Sequence, residues 1–269
     1  MHDERSRRGA GGMRIATRWW KLIRDFNAIQ GRILMAVTAI AVGVYAVATI
    51  ASAYAILTRE ISRNYIATNP ASALLDVGVV DAALVDAVRK RPDIAAAEEA
   101  SVVAARVEYR PNEWVRMLLF VVPDFDALRV NKVFPEAGAY PPKPGSILLE
   151  REALAFLRGT IGGSIRLQTP TGPKVSVMVS GTVHDPSLAP AWQEQTAYGY
   201  LTPETFAAVG GDPTPNILKV VVRDALHDQR KVDAVVGELA LALKARGLDV
   251  HQIQAPPTGR HPHQNQMTA

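Results

Sequence analysis

The stretch that decides the fold is RILMAVTAIAVGVYAVATIASAYAILTRE, residues 32–60. No charged residue lies between Arg32 and Arg59, and about two hundred residues of ordinary mixed polarity follow. At 1.5 Å per residue the 25 residues from 33 to 57 reach roughly 37 Å as a helix, more than the ~30 Å hydrocarbon core of a bilayer. A signal-peptide apolar region is about 7–15 residues long and follows a short basic start. Here 32 residues precede the span, so an uncleaved membrane helix over 33–57 is the expectation. The sequence Ala53-Tyr54-Ala55 has the form of a cleavage site and leaves a secreted, processed product as a minor reading.

Charge gives the direction. Residues 1–32 hold eight Lys/Arg against three acids, and the rest of the chain is close to neutral, with 22 basic and 23 acidic residues. The positive-inside rule places the N-terminus in the cytoplasm and the main domain outside it. A nucleic-acid binder would spread its basic residues over a folded face among aromatics, and this chain does not, so nucleic acid is not an expected partner. Cysteine is absent, which excludes disulfides, thiol catalysis and Cys-based metal sites.

Before the span, MRIATRWWKLIRDF (13–26) is amphipathic: Ile15, Trp19, Leu22, Ile23 and Phe26 fall at helical spacing, with Arg14, Arg18, Lys21 and Arg24 elsewhere on the wheel. Such a segment either lies in the headgroup plane of the bilayer, with Trp19 and Trp20 at the interface and Arg24 on anionic lipid, or is a simple basic flank of the span. Within the span, small residues at Ala36, Ala39, Gly43 and Ala46 form a seam along which a second helix can approach closely.

The remainder reads as α+β. A stalk (58–70) continues the helix until Asn69-Pro70 stops it. SALLDV is a strand. DAALVDAVRKRP is a helix capped by Asp81 with Leu84, Val85 and Val88 inward. IAAAEEASVVAARVEYR and WVRMLLFVV are strands, and PDFDALRVNKV opens a short helix or turn. AGAYPPKPGS is a connection. Then ILLEREALAFL runs from strand into helix, and SIRLQTP pairs with KVSVMVSGTV across Thr171-Gly172-Pro173. AYGYLTPETFAAVG is a strand and a helix begun at Thr202-Pro203. NILKVVVRD is a buried strand. DQRKVDAVVGELALALKARG is a helix with Val232, Val235, Val236, Leu239 and Leu243 inward and Gly247 as its stop. LDVHQIQ closes as a strand.

The expected architecture is thus one N-terminal membrane helix and an extracytoplasmic mixed α/β domain over 71–253. Its α/β part takes 71–135 and 212–253, a β-rich subdomain is inserted over 140–202, and a flexible tail follows over 254–269.

The residues that carry chemistry are few. GTIGGS has glycines but no phosphate-binding lysine. His184, His227, His251, His261 and His263 are scattered, so no metal or other cofactor is expected. HDPS (184–187) contains a His, an Asp and a Ser, but neighbours in a turn point apart, and a catalytic relay joins residues distant in sequence. Asp185-Pro186 reads as a turn starter. Trp192 and Tyr198 read as exposed beside that loop, either as a partner-contact edge or as ordinary packing. Nothing in the outside domain reads as catalytic.

In order, RWWKLIRDF, GRILMAVTAIAVGVYAVATI, ILLEREALAFLRGTIGGSIRLQTPTGPKVSVMVSGTVHDPS and YGYLTPETFAAVGG resemble the permease subunits of FtsX-like ABC transporters with a MacB-like periplasmic core domain. The resemblance covers most of residues 14–253. It implies a non-catalytic permease whose cytoplasmic ABC ATPase partner hydrolyses ATP. The bilayer and a second permease copy or further membrane helices are its other partners, and the first helix carries motion to the outer domain. It also puts Trp19, Trp20 and Arg24 where an ATPase docks. In that family more membrane helices follow the core domain, so the sequence is expected to be the N-terminal part or a truncated form of such a subunit. A single-pass anchored binding or scaffold domain is the alternative.

Overall fold

The computed structural model describes residues 17–259, and the side chains from residue 29. Helix α1 runs without a break from Thr17 to Ala67. A helix lying in the headgroup plane would need a turn before the span, and the backbone from Thr17 onward has none. From Ile29 this helix is long and apolar enough to cross a membrane, and no residue of its apolar window is buried against the rest of the chain. The described residues divide between Leu57 and Thr58 into two separate compact units.

The second unit begins with the last turns of α1. Strand β1 (Ala73–Asp76) and helix α2 (Ala82–Arg89) follow, then the long strand β2 (Ile94–Arg110) and β3 (Glu113–Val121). Next come β4 (Phe134–Gly138), β5 (Ser146–Glu150), α3 (Arg151–Phe156), β6 (Ser164–Gln168) and β7 (Lys174–His184). The chain continues through α4 (Ala191–Glu194), β8 (Thr196–Leu201), α5 (Pro203–Ala208), β9 (Ile217–Val222), α6 (Gln229–Ala245) and β10 (Gln252–Gln254).

Two layers grow from β2. Its first half pairs with β9, and the order β10-β1-β9-β2 makes an antiparallel sheet. Alternate residues of that sheet, including Leu75, Ile94, Leu218 and Val220, are buried with α2 and α6. Helix α2 is capped by Asp81, whose carboxylate accepts from the Leu84 N–H at 2.7 Å. On α6 the five apolar residues at helical spacing, Val232, Val235, Val236, Leu239 and Leu243, are the buried ones. Among the described residues no helix packs on the sheet's other face.

The second half of β2 starts a barrel. It pairs with β3, β3 with β8, β8 with β5, β5 with β7, β7 with β6, and β6 returns to β2. Six strands therefore close on themselves, which removes free edges. Val107, Met117, Leu119, Ile147, Leu149, Leu167 and Val179 fill the interior. Gly199 on β8 faces the same space: a Cβ there would lie 2.6 Å from Ile147 Cδ1 and Met117 Cε. A smaller cluster of Val122, Phe125, Val133, Leu148, Val183 and Tyr200 seals the barrel from outside. Strand β4 is an added edge, paired with β7.

The mixed α/β architecture agrees with the sequence reading, and three local features differ. The β-rich part takes in β3 and the second half of β2, because β3 finds its partner in β8 from the other side of the subdomain. Residues 134–138, of which the last two were read as part of a connection, form β4. Residues 123–133, read as a short helix or turn, take the turn: Asp124 accepts from the N–H groups of Asp126 and Ala127, and Asn131 sits at φ 53. Ala191–Glu194 forms a short helix the sequence did not announce.

Candidate functional site

The foot of α1 is seated in the second unit by buried side chains and hydrogen bonds. Tyr65 is 4% exposed and Thr68 is fully buried. The helix stops where Asn69 takes φ 51, a left-handed conformation that Asn tolerates better than most residues. Asn69 Nδ2 donates to the Arg129 carbonyl at 2.8 Å, while the Asn69 and Thr68 carbonyls accept from the N–H groups of Asn131 (3.1 Å) and Lys132 (2.8 Å). Asn131, also left-handed, accepts from the Ala71 N–H at 2.6 Å through Oδ1. Two asparagines thus clasp one another across sixty residues of chain.

The loop that holds the foot is itself tied to both layers. Glu98 on β2 and Lys219 on β9 are direct cross-strand partners. Glu98 accepts from the N–H groups of Arg129 (2.6 Å) and Val130 (3.2 Å), and Lys219 Nζ donates to the Val130 carbonyl at 3.2 Å. The two side chains lie 3.5 Å apart, both close to fully buried. Burial lowers the Lys219 pKa, and the Glu98 carboxylate works against that shift. On the barrel side, Val133 of the same loop packs into the outer cluster with Tyr200 and Val183.

Beside this junction Asp185 accepts from the Tyr200 hydroxyl at 2.6 Å and from the Ser187 hydroxyl and N–H. Burial, with Asp185 next, holds the Tyr200 pKa well above its ordinary value. His184, one residue earlier on the strand, turns the other way. Its Nδ1 is buried without a hydrogen bond, 3.6 Å from Glu150 Oε1. Burial raises the Glu150 pKa to about 7 and lowers that of His184. Each is pushed toward its neutral form, which works against an ion pair between them. His184, Asp185 and Ser187 therefore form no relay. A recess of about 330 Å³ beside this pair is lined by Ile61 and Asn64 of α1 as well as by Glu150, His184 and Trp192.

A larger cleft of about 590 Å³ lies between the helix-free face of the first sheet and the outer wall of the barrel. Leu74, Ile217 and Lys219 line it on one side and Leu118, Phe120 and Arg116 on the other.

The residues singled out in the sequence fare unevenly. Trp192 is exposed, but Tyr198 is only 5% exposed, so the two do not form one surface edge. Tyr198 is buried because β8 lies between β3 and β5 and is covered by α3 and α4, leaving all six of its residues buried. Ala36, Ala39, Gly43 and Ala46 are all exposed on α1, and a Cβ on Gly43 would meet nothing within 4 Å. Trp19, Trp20 and Arg24 lie on the backbone of α1, and their side chains are outside the described residues. Among the described residues no group of three or more His, Asp or Glu is placed to hold a metal ion. The sequence reading did not find Asn69, Asn131, Glu98 and Lys219. The one signal available was Asn69-Pro70 as a helix stop.

No family model matches the chain, and no curated protein matches it. Among solved structures the fold is similar to the extracellular domain of the noncanonic ABC-type transporter YknZ from Gram-positive bacteria. The TM-score is 0.43 and the identity 12%, over 65% of this chain and 88% of that one. It is also similar to the periplasmic region of MacB from Actinobacillus actinomycetemcomitans, with TM-score 0.41 and 12% identity over 76% of this chain and 95% of that one. Both are domains outside the cytoplasm. At TM-scores below 0.5 these are distant likenesses, and the functional reading rests on the chain itself.

Proposed function

We propose that the chain is the membrane-spanning permease subunit, or its N-terminal part, of an ABC-type exporter. A separate cytoplasmic ATPase hydrolyses ATP, and α1 carries the resulting movement to an extracytoplasmic domain that acts on the substrate. The observation that carries this reading is the foot of α1. A single helix with an apolar span ends in a seat of four hydrogen bonds on loop 129–132, and Glu98 and Lys219 tie that loop to the first sheet. A mere anchor needs no such seat. The order of sequence motifs and the basic N-terminal segment support the same reading. Trp19, Trp20 and Arg24 are the proposed ATPase-side or lipid contacts, and Ala36, Ala39, Gly43 and Ala46 the proposed seam for a second permease copy or further membrane helices.

The test is made on the complex isolated from membranes of the native host. An ABC-type ATPase should co-purify, and spin labels on the first sheet and the barrel should change separation on ATP binding. Inserting Gly-Gly after Thr58 should abolish that change while ATP hydrolysis persists. No such ATPase in the isolate, or an unchanged ATP response in the Gly-Gly variant, would sink the reading.

The second reading, a single-pass anchored binding domain, is favoured by one observation, the 590 Å³ cleft. It predicts binding by the domain with α1 removed.

A further inference from the structure

The cleft has a polarity that runs along two strands. On the outer wall of the barrel β2 and β3 pair Val102 with Phe120, Ala104 with Leu118, Arg106 with Arg116 and Glu108 with Trp114. Side chains directly opposite on an antiparallel pair share a face. That face is therefore apolar at the cleft and turns basic one pair further on. Like charges directly opposite destabilise a sheet. Yet Arg106 and Arg116 are cross-strand partners, both exposed, and neither has an ion pair among the described residues.

The other charged groups of the cleft are already engaged. Lys219 holds Glu98, Asp185 accepts from Tyr200 and Ser187, and Asp76 accepts from the Gly78 N–H. Arg116 is the lining cation with no partner of its own. Beyond the arginine pair the basic strip continues. Arg166 takes up Glu108 at 3.0 Å, and Lys174 stands 5.0 Å from the centre of the Trp114 ring. Arg106, Arg116, Arg166 and Lys174 thus follow one another along this side of the barrel, with Glu108 taken up by Arg166. A volume of 590 Å³ falls within the roughly 300–1,000 Å³ of small-molecule sites.

We propose that this cleft binds an amphipathic anion: an acyl chain lying on Val102, Ala104, Leu118 and Phe120, with a carboxylate or phosphate headgroup on Arg106 and Arg116. The inference does not require an ATPase and stands or falls apart from the permease reading. Arginine suits either headgroup, since its planar fork presents paired donors to two anionic oxygens. The apolar floor sets chain-length selectivity. Each methylene buried should tighten binding about fourfold until the cleft is full.

The experiment uses the full chain in nanodiscs of zwitterionic lipid and a dodecanoate carrying a diazirine at its tail end, with cross-links mapped by peptide mass spectrometry. The expected labels fall on peptides containing Leu118 and Leu128. They should be competed by dodecanoate or dodecyl phosphate but not by dodecanol, and the stronger competitor identifies the headgroup. The double variant R106Q/R116Q should weaken labelling at least tenfold, with R106K/R116K recovering part of it. A104W, which fills the cleft and leaves the arginines, should abolish labelling. Labels confined to α1, equal competition by dodecanol, or labelling unchanged in both R106Q/R116Q and A104W would overturn the proposal.

Discussion

Replacing Glu150 by Gln should stabilise the extracytoplasmic unit in a way that depends on pH. The Glu150 side chain is 5% exposed and ends β5 at the start of α3, where it accepts from the Glu152 N–H at 2.6 Å. A glutamine keeps that acceptor and removes the charge. The folded pKa is about 7 against an ordinary 4.5. Between those values the folded state holds a proton that the unfolded state has released, so stability falls as pH rises through this window. At about 1.4 kcal/mol per pH unit, the gap of roughly 2.5 units costs about 3 kcal/mol above pH 7 and nothing below pH 4.5. That is a large share of the ~5–15 kcal/mol that holds a domain together. His184 acts with the opposite sign. Its folded pKa is depressed, so its contribution is complete above its ordinary 6.5 and is lost as pH falls below that value. Comparing E150Q with the wild type at each pH cancels most of the His184 effect. The assay is urea unfolding of residues 58–269 at pH 5, 6, 7 and 8, followed by the fluorescence of Trp114 and Trp192. The advantage of E150Q should grow with pH and level off near 3 kcal/mol. A difference that does not vary with pH, or a loss of stability in E150Q at pH 8, would refute the reasoning.

Asn131→Ala should cost about 1–3 kcal/mol, because it strands the buried Ala71 N–H, plus ~1 kcal/mol for alanine at φ 53. Asn131→Gly should recover only the second part, and amide exchange at Ala71 should quicken in both. Gly181→Ala would place a Cβ 2.6 Å from the Ala137 carbonyl and 3.0 Å from that of Ala139. Strand β4 should detach, and the Ala139 amide, now bound to the Ser180 carbonyl at 2.8 Å, should lose its exchange protection. Gly43→Leu has room within the chain, so it should leave membrane insertion and the thermal unfolding of the outer unit unchanged. If the seam is an interface, the same variant should reduce self-association measured by cross-linking in the membrane.

What the sequence revealed was local. The inward face of α6, the Asp81 cap, the β6–β7 hairpin and the Thr202-Pro203 helix start all depend on residues within a few positions of one another, and the structure reproduces each. What it hid depends on distant partners. Closure of the barrel rests on Arg106 and Val107 meeting Gln168 and Leu167, sixty residues on. Phe134–Gly138, with a proline and a glycine among five exposed residues, has no strand signal of its own and extends only because β7 offers an edge. Tyr198 looks like a surface aromatic until the elements on both sides of β8 are known. Lys219 stands in an apolar run and gives no hint that Glu98, 121 residues earlier, will face it. The foot of α1 was legible as a stop and illegible as a socket, since its partner loop has no periodic pattern.

Strand β2 belongs to both layers: residues 94–100 build the first sheet and 101–110 the barrel wall. With one strand in common, neither layer can melt while the other keeps its full complement of edges, so the two should unfold in one cooperative transition. Among the described residues the same strand is the only continuous backbone ladder linking them, and its register slips between Ile94 and Ala96 and again between Glu108 and Arg110. Any change in the angle between the layers must appear as twist in β2, which makes it a torsion bar. A molecule wedged in the cleft would wind that bar in one sense, and a pull on the foot of α1 would wind it through the loop that Glu98 grips.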